Sequence, residues 1–84
     1  MIASKYRINI IWSEEDGCYL VELPEFATSI QRYFTHGDTY EEALTNAKEV
    51  LALLIESYME EGKNLPEPQV LQVLRGGGKT LGDR

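Results

Sequence analysis

The chain of 84 residues is poor in the groups that carry most enzyme chemistry: it has one cysteine, Cys18, and one histidine, His36. A single cysteine excludes an intrachain disulfide and a thiolate zinc site. One histidine with scattered carboxylates does not make a structural metal site. Nor does it make a catalytic base without a nucleophile near it. No apolar run is long enough to span a bilayer. The N-terminus lacks a charged segment followed by an apolar stretch, so no secretory signal is expected. Together with the sparse cysteine, this points to a reducing, cytoplasmic setting. Gly76-Gly77-Gly78-Lys79-Thr80 has the end of a phosphate loop, but Val73 stands where its first glycine is required. Hydrolysis by paired carboxylates needs two acids on facing elements, and the sequence does not place such a pair. No enzyme activity, cofactor or metal is expected.

Basic charge is also scarce. Residues 1–74 hold 5 Lys/Arg against 13 Asp/Glu, a net −8, while residues 75–84 hold 3 against 1, a net +2. An acidic body cannot displace counterions from a phosphate backbone, which disfavours nucleic acid as a partner. It suits a basic protein, whose approach it accelerates. The aromatics Trp12, Tyr19, Phe26, Tyr33, Phe34 and Tyr40 lie in this acidic setting, so they read as core rather than as a base-stacking platform. Eighty-four residues make one domain. Its core is small enough that help from a second copy or a partner is expected.

The elements are legible from periodicity. Tyr6, Ile8, Ile10 and Trp12 alternate with other residues over 5–12, predicting a half-buried strand with the even positions inward. Ser13 to Gly17 is a polar turn in which Gly17 takes positive φ. Cys18 to Leu23 alternates again, with Tyr19, Val21 and Leu23 inward, and Pro24 ends the strand. The other face keeps Ile11, Cys18 and Leu20, so one sheet face is expected under a helix and the other against another chain. Tyr33 to His36 predicts a third strand, broken by Gly37. Thr39-Tyr40-Glu41-Glu42 matches a capping box, with Glu42 returning to the Thr39 amide. The helix should run from Tyr40 to about Glu61. Tyr40, Leu44, Ala47, Leu51, Leu54 and Tyr58 form its inward stripe. Val50, Leu53, Ile55 and Met59 give its second half more apolar surface than one sheet needs. Gly62 fits the position after the cap, and Pro66 and Pro68 forbid continuation. Gln69 to Leu74 predicts a last strand, parallel to the first if the helix is a right-handed crossover. The expected fold is α+β, β-β-β-α-β. It comprises a three-stranded antiparallel sheet, a final strand beside the first, and one long helix on one face. Residues 1–74 form the domain and 75–84 a flexible tail.

The order of these pieces resembles the HicB-like antitoxin family of type II toxin–antitoxin systems. The resemblance spans about residues 5–68. It is carried by Trp12, the Asp16-Gly17 turn, and Tyr19 to Phe26 with its Leu23-Pro24-Glu25. Thr35-His36-Gly37-Asp38-Thr39 with Glu42-Ala43, and Gly62-Lys63-Asn64-Leu65-Pro66-Glu67-Pro68, complete it. The resemblance implies a partial RNase H-like fold. It implies no nuclease activity, because the first strand, Lys5 to Trp12, has no acidic residue to hold a metal ion. It implies a small basic HicA-type toxin as partner, an mRNA-cleaving protein neutralised when its RNA-binding or catalytic surface is covered. Family members often continue into a DNA-binding segment. Residues 75–84 are too short for one, so direct DNA binding is not expected of this chain.

The expected contact residues are the acids of the first turn, Glu14 and Asp16, and the end of the second strand, Glu22, Glu25 and Phe26. A homo-oligomer is also expected. The alternative function is a stand-alone oligomeric regulatory or ligand-binding domain without a toxin.

Overall fold

A computed structural model describes residues 5–71. Three strands form one antiparallel sheet in the order β1-β2-β3. They are β1 (Asn9–Ser13), β2 (Cys18–Glu22) and β3 (Tyr33–Gly37). One helix, α1 (Tyr40–Glu60), follows them. Residues 69–71 have no regular structure. Residues 72–74 of the expected fourth strand and the expected tail, 75–84, lie outside the described residues.

The β1–β2 hairpin turns as its residues require. Gly17 has φ 65°, and its N–H donates to the Ser13 carbonyl at 2.8 Å. Asn9 pairs with Glu22, Ile11 with Leu20 and Ser13 with Cys18. β1 starts four residues later than its alternation suggested. Tyr6 leaves the strand direction and enters the core instead. Its ring packs edge-on against Phe26 at 5.0 Å, and its hydroxyl donates to the Pro66 carbonyl at 2.6 Å. Sixty residues separate these two partners, so no local pattern could announce them. β2 meets β3 through a bulge. Glu22 lies opposite Tyr33 and Val21 opposite Thr35. Phe34 is the extra residue, and the irregularity lets it pack against the core.

Pro24 ends β2 and opens a single 3₁₀ turn, Pro24–Phe26. Phe26 is buried there, with Tyr58 of α1 edge-on at 5.5 Å. The helix begins as its capping signal says: the Thr39 hydroxyl accepts from the Glu42 amide at 3.0 Å. The Glu42 carboxylate returns to the Asp38 amide rather than to that of Thr39. It still satisfies an amide at the positive end of the helix. At the other end Gly62 has φ 69°. Its N–H donates to the Met59 carbonyl and that of Lys63 to Tyr58. This paired closure needs left-handed backbone, which glycine adopts without a Cβ penalty.

The core is Tyr6, Val21, Leu23, Phe26, Ala43, Ala47 and Leu51. Ala43 is fully buried although the 4-3 stripe passed it by, while Tyr40 of that stripe is 60% exposed. The cause is the close approach of α1 to β3, over which it chiefly lies. Only glycine and alanine fit between them. A Cβ on Gly37 would stand 2.4 Å from the Ala43 nitrogen. Gly37 thus belongs to β3 as its last residue and sets the helix distance. Trp12, expected inward, is 47% exposed. It stacks edge-on against Tyr19 at 5.0 Å, and Tyr19 in turn meets Tyr40 at 4.4 Å.

Candidate functional site

Strand pleat assigns the two faces of the sheet. Tyr19, Val21, Ile8 and Ile10 face α1 and pack on the core. The opposite face carries the paired residues Ile11 and Leu20 at its centre, with His36 beside Leu20 on β3. Asn9, Glu22 and Tyr33 form the neighbouring row. Among the described residues no helix lies on this face.

The five expected contact residues do not form one patch. Glu14 and Asp16 stand at the hairpin tip. Glu14 accepts from the Trp12 indole N–H at 3.0 Å. Asp16 accepts from the Ser13 hydroxyl at 2.8 Å. Glu22 ends β2, with Glu25 and Phe26 just past it, roughly 13 Å from the tip for a strand of that length. Each has an internal task. Glu22 accepts from the Asn9 amide at 3.2 Å and is ion-paired with Arg32. The hydrogen bond from Arg32 holds the Glu22 carboxyl below its ordinary pKa, desolvation opposes this, and Asn9 assists. Arg32 also lies over the Tyr33 ring, 5.2 Å from its centre. Glu25 accepts from two backbone amides, Arg7 at 3.2 Å and Gln69 at 2.8 Å. The Arg7 side chain donates to Gln69 at 3.0 Å. One carboxylate therefore ties the segment entering β1 to the segment leaving α1. Phe26 is core, so its ring does not reach a partner while the fold is intact.

Further exposed acids lie on the helix. Glu42, Glu49 and Glu56 recur every seven residues on the exposed side of α1, with Glu60 beside them. The seven-residue recurrence of Glu42, Glu49 and Glu56 stands in the sequence, but nothing there separates a solvated face from a contact face. Among the described residues, 5 Lys/Arg stand against 13 Asp/Glu. Their ion pairs are Arg32–Glu22 and Lys63–Glu61, the second at 3.3 Å. The surface is therefore dominated by carboxylates without a cationic neighbour.

No three His, Cys, Asp or Glu side chains among the described residues group to hold a metal ion. No helix among them is long and apolar enough to cross a membrane. What the surface provides is a negative field on a small rigid body.

The sequence model of the HicB_like antitoxin of bacterial toxin–antitoxin systems matches residues 5–73. The UPF0150 protein Ta0767 of Thermoplasma acidophilum is 35% identical over 69 residues, 82% of this chain and 93% of the relative. No solved structure matches the chain significantly.

Proposed function

This chain belongs to the HicB-like antitoxin family, and on that premise we propose that it neutralises a small basic HicA-type toxin by covering the surface with which the toxin binds or cleaves mRNA. The observation that carries the reading is the family match over residues 5–73 on a body with 13 acids and 5 bases. Thirteen carboxylates against five cations attract a basic protein from a distance and speed its productive encounter. The acidic side of α1, Glu42, Glu49, Glu56 and Glu60, forms the larger part of the contact, and Glu14 and Asp16 at the hairpin tip extend it. Glu22 and Glu25 are engaged in bonds within the domain, and Phe26 belongs to its core. The chain itself performs no catalysis: it acts by occupancy, with its residence time on the toxin setting the outcome.

The test is co-expression with a small basic protein encoded beside this chain, followed by size-exclusion chromatography with light scattering. A stable complex and rescued growth are expected. Reversing Glu49 and Glu56 to lysine should slow association about tenfold at low salt and by less at high salt, with dissociation little changed. A neighbour that neither binds nor is inhibited refutes the reading. Unchanged association kinetics in the charge-reversed variant refute the acidic helix as the contact.

A further inference from the structure

We propose that the aromatic strip formed by Trp12, Tyr19 and Tyr40 is a docking site for an arginine side chain of a basic partner. The inference rests on the antitoxin reading only for the identity of that partner. The strip exists because α1 lies chiefly over β3, which leaves the β1 side of the same sheet face open. Trp12 and Tyr19 are paired across β1 and β2, so they share that face. Their rings meet edge-on at 5.0 Å, and Tyr40, the first residue of α1, meets Tyr19 at 4.4 Å. Tyr19 packs against the core, whereas Trp12 is 47% and Tyr40 60% exposed. Two open ring surfaces thus flank a fixed central one.

Charge selects the occupant. Aromatic faces attract cations, and tryptophan does so best. Two rings of this chain already carry one: Arg32 lies 5.2 Å from the centre of Tyr33, and Lys63 lies 5.0 Å from that of Tyr58. Among the described residues no cation lies over Trp12, Tyr19 or Tyr40. A carboxylate is held at the rim of the strip, where Glu14 accepts from the Trp12 indole N–H at 3.0 Å. That bond engages one oxygen at the ring edge, and a cation laid over the ring can pair with the other. The N-terminus of α1 carries about half a positive charge. Asp38, Glu41 and Glu42, all exposed, outweigh it. A nucleobase also stacks on such rings, yet its phosphates would meet these same acids. Arginine suits the strip better than lysine does. Its planar guanidinium stacks on a ring while its N–H fork engages a carboxylate, and a compact ammonium does not combine the two.

The strip adds what the acids of α1 lack. Carboxylates draw any basic surface from a distance. Ring faces act only at contact, so they sort partners by side-chain shape, and their effect falls on dissociation more than on approach. Tryptophan, tyrosine and arginine are also the side chains on which binding energy concentrates at protein interfaces.

Trp12 is the one tryptophan of the chain, so its indole N–H gives a single magnetic resonance signal that reports on this site. The isotopically labelled full chain is titrated with a capped pentapeptide of alternating glycine and arginine, and with its lysine counterpart of equal charge. The arginine peptide should shift the signal saturably, with half-effect at about 1 mM. The lysine peptide should bind at least about fivefold more weakly. Tyr40→Ala and Glu14→Gln should each weaken the arginine peptide about five- to tenfold. Glu14→Gln keeps an acceptor for the indole and removes only the charge. Glu56→Gln loses the same charge about four turns along α1 and should change the affinity by less than about twofold. Both altered side chains of the strip are exposed, and far-UV circular dichroism checks that each variant is folded. An indole signal unmoved at about 20 mM arginine peptide overturns the proposal. So does equal affinity for the two peptides, or a loss in Glu56→Gln as large as that in Glu14→Gln. The antitoxin reading is tested apart from this, with the small basic protein encoded beside the chain. If that protein binds, Tyr40→Ala and Glu14→Gln should speed its dissociation about fivefold. A complex indifferent to both overturns the strip and leaves the antitoxin reading standing. A neighbour that does not bind, while the arginine peptide still moves Trp12, refutes the antitoxin reading and supports the strip.

Discussion

Replacing Gly37 by alanine drives a methyl group into the backbone of α1. The added Cβ would lie 2.4 Å from the Ala43 nitrogen, 2.7 Å from its Cα and 2.9 Å from the Glu42 carbonyl carbon. Ordinary contact begins at 3.4 Å, so the helix must retreat from β3 by about 1 Å. No side-chain rotation relieves this, since every atom struck is backbone. The retreat also loosens Ala43 and Ala47, both fully buried. Overpacking costs about 1–3 kcal/mol where neighbours can adjust. With rigid backbone on both sides, the upper end, about 3 kcal/mol, applies here. A chain of this size has roughly 4–13 kcal/mol of stability in total. With a urea slope of about 1 kcal/mol per molar, the midpoint should fall by about 3 M. Urea unfolding followed by far-UV circular dichroism measures it. Gly17→Ala and Gly62→Ala are the controls. Both positions have positive φ and nothing within 4 Å of the added Cβ. Each should cost only about 1–2 kcal/mol, the strain of an L-residue in left-handed backbone. A loss below about 0.5 kcal/mol for Gly37→Ala, within the range of neutral surface changes, would refute the close-approach argument.

Two further outcomes follow from the hydrogen bonds. Burial, and next the Glu25 carboxylate, push the Tyr6 phenol above its ordinary value of 10.0. The proton is therefore held longer in the folded state, so this stability is complete below the unfolded pKa and is lost as pH rises through the folded one. The phenolate absorbance of wild type minus that of Tyr6→Phe should show one late-titrating group, and Tyr6→Phe should lose about 1 kcal/mol with its bond to Pro66. Glu22 has the opposite sign. Its folded pKa lies below the unfolded one, so its contribution is present above the unfolded value and fades as pH falls through the folded value. In Arg32→Ala the carboxyl resonance of Glu22 should titrate higher than in wild type, and an unchanged titration would show that the ion pair is not formed in solution.

Local chemistry was legible in the chain. Gly17 and Gly62, the Thr39 cap and Pro24 each act on residues within about four positions, and each does in the structure what its residue type dictates. The alternation of Cys18 to Leu23 placed β2 correctly for the same reason, because pleat is a property of adjacent residues. The half-apolar outer face of the sheet was also visible, in Ile11, Cys18 and Leu20 standing where polar residues would be expected. The acidic surplus needed only counting.

What the tertiary structure decided is distant in sequence or depends on separation in space. Tyr6 looked like the start of a strand until Pro66 and Phe26 were beside it. Glu25 looked like a surface acid, and two backbone amides 62 positions apart turned it into a tie between the two ends of the domain. Phe26 followed an acid-flanked proline and was read as a contact, yet the 3₁₀ turn delivers its ring to Tyr58. Gly37 looked like a strand breaker, and its reason is the distance to α1. The pairing of Arg32 with Glu22 crosses from loop to strand, and no local pattern announces it. Periodicity and capping act through neighbouring backbone, so the sequence alone determined where elements begin, turn and end. Which carboxylates are left for a partner and which are consumed within depends on contacts that form only when the sheet and helix close on each other.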